Sequence, residues 1–86
     1  MPGIRATAIL RNPLGLHARP AAQLARTAAG FDAAVTVGGV DASSVLALIG
    51  LGVLGGTTVT VTATGPQARS ALTAVVDEIE AGFGEA

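Results

Sequence analysis

His17 is the chain's single histidine, and it stands in the run GLHARPAAQLARTAAGF, from Gly15 to Phe31. An imidazole titrates near neutral pH, so it can serve as base, metal ligand or nucleophile. Two residues on, Arg19 supplies a permanently charged planar fork suited to phosphate oxygens. Pro20 comes next, a residue tolerated in the first turn of a helix, where its missing N–H costs no intrahelical bond. The order predicts a helix that starts close to His17. The first N–H groups of a helix lack carbonyl partners and carry the positive end of the peptide dipoles. A phosphoryl group on the ring would meet those amides. The same positive setting favours a neutral ring whose lone pair can attack phosphorus, giving a labile phosphohistidine. No other residues complete a hydrolytic triad, so the donor and acceptor sites belong to other proteins. By composition and spacing alone, an isolated histidine at a helix start is more often structural, and Arg19 more often a solvated charge.

The rest of the composition removes competing chemistries. With no Cys in 86 residues, neither a disulfide framework nor a thiolate metal site is possible. One His and scattered carboxylates argue against any metal centre, and no cofactor is expected. Aromatic residues make up 2%, so the stacking platform of single-strand binders is missing. Arg5, Arg11, Arg19 and Arg26 precede residue 30, and all six acids, from Asp32 to Glu85, follow it. That asymmetry places a positive patch around His17 and suits an anionic ligand or an acidic partner. Four charges are too few for nucleic acid, and nucleic acid is not expected as a partner. VLALIGLGVLGG, the most apolar stretch, is too short and too broken by Gly to span a bilayer. With no basic leader ahead of an apolar run, a soluble, cytoplasmic protein is expected, without direct membrane insertion.

The elements that must position His17 follow from periodicity. IRATAIL (Ile4 to Leu10) alternates as a half-buried strand. Ala21, Leu24, Ala25 and Ala28 form the stripe of a helix that stops at Gly30. Ala33 to Val37 turns through Gly38-Gly39 to Val40 as a hairpin. SSVLALIG reads as a short serine-capped helix, and Thr57 to Thr64 as the clearest strand, with Val59, Val61 and Ala63 on one face. Pro66 is expected to open the last helix, whose stripe is Ala68, Leu72, Val75, Val76, Ile79 and Phe83. Asp77, Glu78 and Glu80, late in that helix, oppose its dipole and read as solubilising charges. The order βαββαβα makes a single α+β domain over residues 1–86. Gly-rich GLGVLGG lacks the lysine and spacing of a phosphate loop and reads as turn chemistry.

LGLHARPA (Leu14 to Ala21) closely resembles the active-site signature of HPr, the histidine-containing phosphocarrier of the phosphoenolpyruvate-dependent sugar phosphotransferase system. The likeness runs on through TAAGFDAAVTV and through DASSVLALIGLG (Asp41 to Gly52), in which a serine opens the short central helix. The resemblance implies an open-faced β-sandwich, a four-stranded antiparallel sheet with three helices on one face. It implies that His17 is phosphorylated on Nδ1 by enzyme I and passes the group to a sugar-specific enzyme IIA. Arg19 matches the arginine that manages the phosphoryl charge. Ser44 matches the serine that an HPr kinase/phosphorylase modifies in many relatives. Val45, Leu46 and Ile49 match an exposed docking patch, ringed here by Arg19, Gln23 and Arg26. A small, weak interface suits a carrier, expected as a monomer, that must leave each partner quickly. Such a protein is a carrier with a covalent intermediate, not a stand-alone enzyme. Ser43 stands where many relatives have Lys, and Gly50 where Ser or Thr is usual, so a kinase would meet an altered loop. Two alternatives use the same residues differently: an HPr-like regulatory interaction module switched at Ser44, and a nitrogen-branch phosphocarrier paralogue.

Overall fold

Small apolar residues alternating with polar ones build β1 (Ile4–Ile9), with Ala8 buried and Arg5, Thr7 and Ile9 turned outward. The computed structural model describes residues 3–85. Helix α1 (Ala18–Ala29) buries Pro20, Ala21, Leu24, Ala25 and Ala28, and Gly30 caps its end. β2 (Ala34–Val37) and β3 (Val40–Asp41) are joined at Gly38 and Gly39, with φ of 59° and 85°. Both are left-handed positions, which is what a two-residue hairpin turn of matching twist requires. Then come α2 (Val45–Gly50), β4 (Thr58–Thr64) and α3 (Ala68–Glu80), and a 3-10 turn at Gly82–Gly84.

The strands form one antiparallel sheet in the order β1-β4-β2-β3. β4 is central: Ile9 faces Thr58 on one side of it, and Val35 faces Ala63 on the other. Its Val59, Val61 and Ala63 are buried under the helices, while its threonines look away from them. The fold is thus the expected open-faced sandwich, with βαββαβα order. Leu10, Leu24, Leu48 and Ile79 are essentially inaccessible. Truncating any one to Ala is worth roughly 2–5 kcal/mol. Among the described residues no helix is long and apolar enough to cross a membrane.

The last helix departs from expectation in two ways. Pro66 lies in the turn before α3, and Gln67 is the residue at the cap. The reason is a pair of hydrogen bonds: Gln67 N donates to Asp32 O at 2.9 Å, and Asp32 N donates to Gln67 Oε1 at 2.7 Å. They hold this segment against the α1–β2 turn, so the helix begins only at Ala68. Nor are the late carboxylates simply solubilising. Glu78 Oε2 accepts from Thr27 Oγ1 at 3.1 Å and ties α3 to α1. Glu80 Oε2 accepts from Ile9 N at 2.9 Å, on the free edge of β1, and its other oxygen lies 3.5 Å from Arg11 Nη2. Asp77 stays exposed, as read.

Candidate functional site

His17 sits at the N-cap of α1 in extended backbone (φ −75°, ψ −174°), and its carbonyl accepts from Ala21 N at 3.0 Å. Pro20 has no N–H to give, so Ala18 and Arg19 hold the amides of this turn that lack an intrahelical acceptor. Two loops hold the approach to the histidine. Leu16 N donates to Val53 O, Gly55 N to Pro13 O and Gly56 N to Leu10 O. Gly15, at φ +62°, makes the close approach possible: a Cβ there would lie 2.1 Å from Val53 O. Asn12 is wholly buried beneath the loop, and its Nδ2 donates to Gly15 O at 2.7 Å.

The ring is anchored from the far end of the chain. His17 Nε2 lies 2.8 Å from Glu85 Oε1, and Asn12 Nδ2 donates to the same oxygen at 3.1 Å. The histidine side chain keeps 36% of its surface exposed, so a second protein can reach it. An ionised carboxylate can only accept hydrogen bonds, so the proton of a neutral His17 belongs on Nε2 and the lone pair on Nδ1. The hydrogen bond from His17 first, and that from Asn12 second, hold the Glu85 carboxyl below its ordinary value of 4.5, with Arg19 adding a smaller favourable field. The site is therefore not the uniformly positive setting expected from the sequence, because a carboxylate joins it from α3's end.

A depressed carboxylate stabilises the fold above its unfolded-state value and loses that contribution as pH falls through its folded-state value. Glu85→Gln is therefore expected to be less stable than wild type near neutrality. The gap should close on acidification below about pH 4.5. Thermal unfolding of both proteins across this range checks it: a gap that stays constant to low pH contradicts the contact.

The structure places the other candidate residues as follows. Arg19 and Arg26 are exposed, Gln23 is half-buried, and Arg19 forms no ion pair among the described residues. Ser44 caps α2, its Oγ accepting from Ala47 N at 3.2 Å. Beside it, the Ser43 hydroxyl and then the Ser43 amide hydrogen-bond Asp41 and hold that carboxyl below the usual range. Leu46 is 82% exposed and Ile49 38%, whereas Val45 leans on the core and adds less to the surface than the resemblance implies.

Four residues escaped the sequence reading. Leu14 and Leu54 are 64% and 60% exposed on the two paired loops, Leu14 three residues before His17. Each lies in a Gly-bearing turn, where no periodicity assigns a face. Asn12 and Glu85 meet His17 only through tertiary folding, Glu85 across 68 residues, and no local pattern announces such a contact.

Comparison with known proteins bears on this arrangement. A family model described as "PTS HPr component phosphorylation site" matches residues 4–81. The chain is 40% identical over 87 residues to the phosphocarrier protein NPr of Escherichia coli strain K12, covering 95% of this chain and 97% of that one. It is 44% identical over 72 residues to the phosphocarrier protein HPr of Vibrio cholerae, covering 76% of this chain and 85% of that one. Among solved structures, HPr from Thermoanaerobacter tengcongensis superposes with a TM-score of 0.89 at 38% identity, over 96% of this chain and 98% of that one.

Proposed function

Because this chain belongs to the HPr family of phosphotransferase-system phosphocarriers, we propose that His17 is its phosphoryl-accepting residue, loaded by enzyme I and unloaded onto an enzyme IIA. The observation that carries the reading is the held ring: Nε2 engaged by Glu85 at 2.8 Å, and Nδ1 with no hydrogen-bond partner among the described residues, at a helix start whose first amides lack intrahelical acceptors. In the loading step the Nδ1 lone pair forms an N–P bond while the bond from phosphorus to the donor's leaving group breaks. The electron pair of that bond departs with the donor. Unloading is the same displacement with this ring as the leaving group. The amides of Ala18 and Arg19, with the Arg19 fork, face the developing charge on the phosphoryl oxygens.

Docking uses the exposed apolar surface beside the ring. On this reading the exposed Leu46 and Ile49 on α2, and Leu14 and Leu54 on the paired loops, supply the apolar contacts, and Arg19, Gln23 and Arg26 on α1 the polar ones. A small patch suits partners that must separate within each cycle. Ser44 lies at the head of α2, on the margin of the patch. Its phosphorylation by a kinase would add close to two negative charges beside that surface and oppose an acidic partner. On this reading the protein works as a cytoplasmic monomer, and its likeness to both HPr and NPr concerns phosphoryl carriage, the activity their names share.

Incubation with enzyme I and labelled phosphoenolpyruvate tests the proposal. An acid-labile adduct is expected, and its label should move to enzyme IIA when that protein is added. An acid-stable adduct confined to Ser44, with nothing on the ring, contradicts phosphoryl carriage and favours a regulatory module.

A further inference from the structure

We infer that the turn from Gly82 to Glu85 is a hook built to hold the Glu85 carboxylate on His17, with Phe83 as the positioning residue that anchors it; the inference rests on His17 being the phosphoryl acceptor. Three consecutive residues here take left-handed backbone: Gly82 (φ 77°), Phe83 (φ 56°) and Gly84 (φ 77°). Glycine adopts that region at no steric cost, but a bulky aromatic residue does so only where its surroundings over-determine it. Phe83 is the single described non-glycine residue in this conformation.

What over-determines it is visible. Phe83 is 7% exposed and belongs to the core cluster, and Glu85 N donates to Gly82 O at 2.8 Å, closing the turn. The chain carries only two aromatic residues, and one of them is committed to this anchor. The reversal carries Glu85 straight to Asn12 and His17. Five residues earlier, Glu80 grips Ile9 N and Arg11. Two carboxylates on either side of the turn thus bracket the segment that runs from the end of β1 to the histidine.

The chemical consequence concerns the tautomer. An acceptor fixed at Nε2 disfavours the Nδ1–H form, whose proton would sit on the nitrogen that must attack phosphorus. Releasing the hook removes one charge-assisted hydrogen bond from the Nε2–H form.

The 15N shifts of the two ring nitrogens, recorded on intact protein at a pH where the ring is neutral, read the tautomer ratio. Phe83→Ala and Glu85→Ala are each expected to raise the Nδ1–H share about tenfold relative to Nε2–H. Gly84→Ala offers a second route, because its Cβ would meet nothing within 4 Å and would perturb only the left-handed backbone. It should shift the ratio in the same direction, whereas Gly84→Asn, which tolerates that backbone, should restore it. A wild-type ratio in both Phe83→Ala and Gly84→Ala overturns the hook, as does a wild-type ratio in Glu85→Ala. This readout needs no phosphoryl donor. Failure of enzyme I to label wild-type His17 would strike the phosphocarrier reading instead and leave the tautomer result to decide the hook.

Discussion

His17→Ala is expected to lower phosphoryl acceptance from enzyme I by at least about a thousandfold, as removal of a nucleophile does, while leaving the fold nearly intact. No second imidazole exists in the chain to take over, and there is no cysteine. The fold should tolerate the change because His17 caps α1 with backbone alone; its side chain makes no capping hydrogen bond and is partly exposed. The loss is the contact to Glu85, a partly exposed pair of small weight. Radiolabelling and a thermal melt of the same sample separate the two effects. Label at the wild-type level in a folded His17→Ala protein would remove the histidine from the mechanism.

The second large effect is expected from Gly15→Ala. Its new methyl would lie 2.1 Å from Val53 O and 2.7 Å from Leu54 Cα, both backbone atoms, at φ +62°. No side chain can swing aside, so the paired loops must part. Left-handed strain and overpacking together suggest about 3 kcal/mol. For a domain of this size that lowers Tm by roughly 15 °C. Phosphoryl acceptance should fall as well, because the same loops set His17 and Asn12. Gly50→Ala is the matched control. It is the last residue of α2, with helical backbone outside the left-handed region, its Cβ would meet nothing within 4 Å, and Ala is the better helix former there by up to about 1 kcal/mol. A melt in which both variants behave alike would show that the loop pairing does not constrain Gly15.

How much of this was readable from the sequence depends on whether the signal is local. β4 alternates Val59, Val61 and Ala63 against threonines, and periodicity of two is enough to assign its faces. The α1 stripe is equally plain, since Ala21, Leu24, Ala25 and Ala28 fall at helical spacing and all are buried. Ser44 as a cap needed only the serine and the apolar run after it. The start of α3 was misplaced because Pro66 is a good local opener, and what overrides it is a long-range bridge from Gln67 to Asp32.

The site divides the same way. His17, Arg19 and the helix start lie within a few residues of one another, so the motif displays them. Asn12, a polar residue in a Pro- and Gly-bearing turn, looks like a surface residue until Gly15 and Glu85 close over it. Glu85 resembled one more acidic residue near the end of a charged helix. Only the left-handed turn at Phe83 carries it to the ring, and nothing in GFGE states where that turn will point. The same reasoning covers Glu80, whose partner Ile9 N is free only because β1 lies at the sheet edge.

The claim on which the rest depends is that Nδ1 of His17, kept bare by a carboxylate on Nε2, takes the phosphoryl group. Phosphorus-31 and nitrogen-15 spectra of uniformly 15N-labelled protein, recorded after loading with enzyme I and phosphoenolpyruvate, test it most directly. A phosphoramidate signal coupled to Nδ1, with Nε2 still carrying its proton, is the expected spectrum. Coupling to Nε2, or phosphorus bound only to a hydroxyl oxygen, would contradict it.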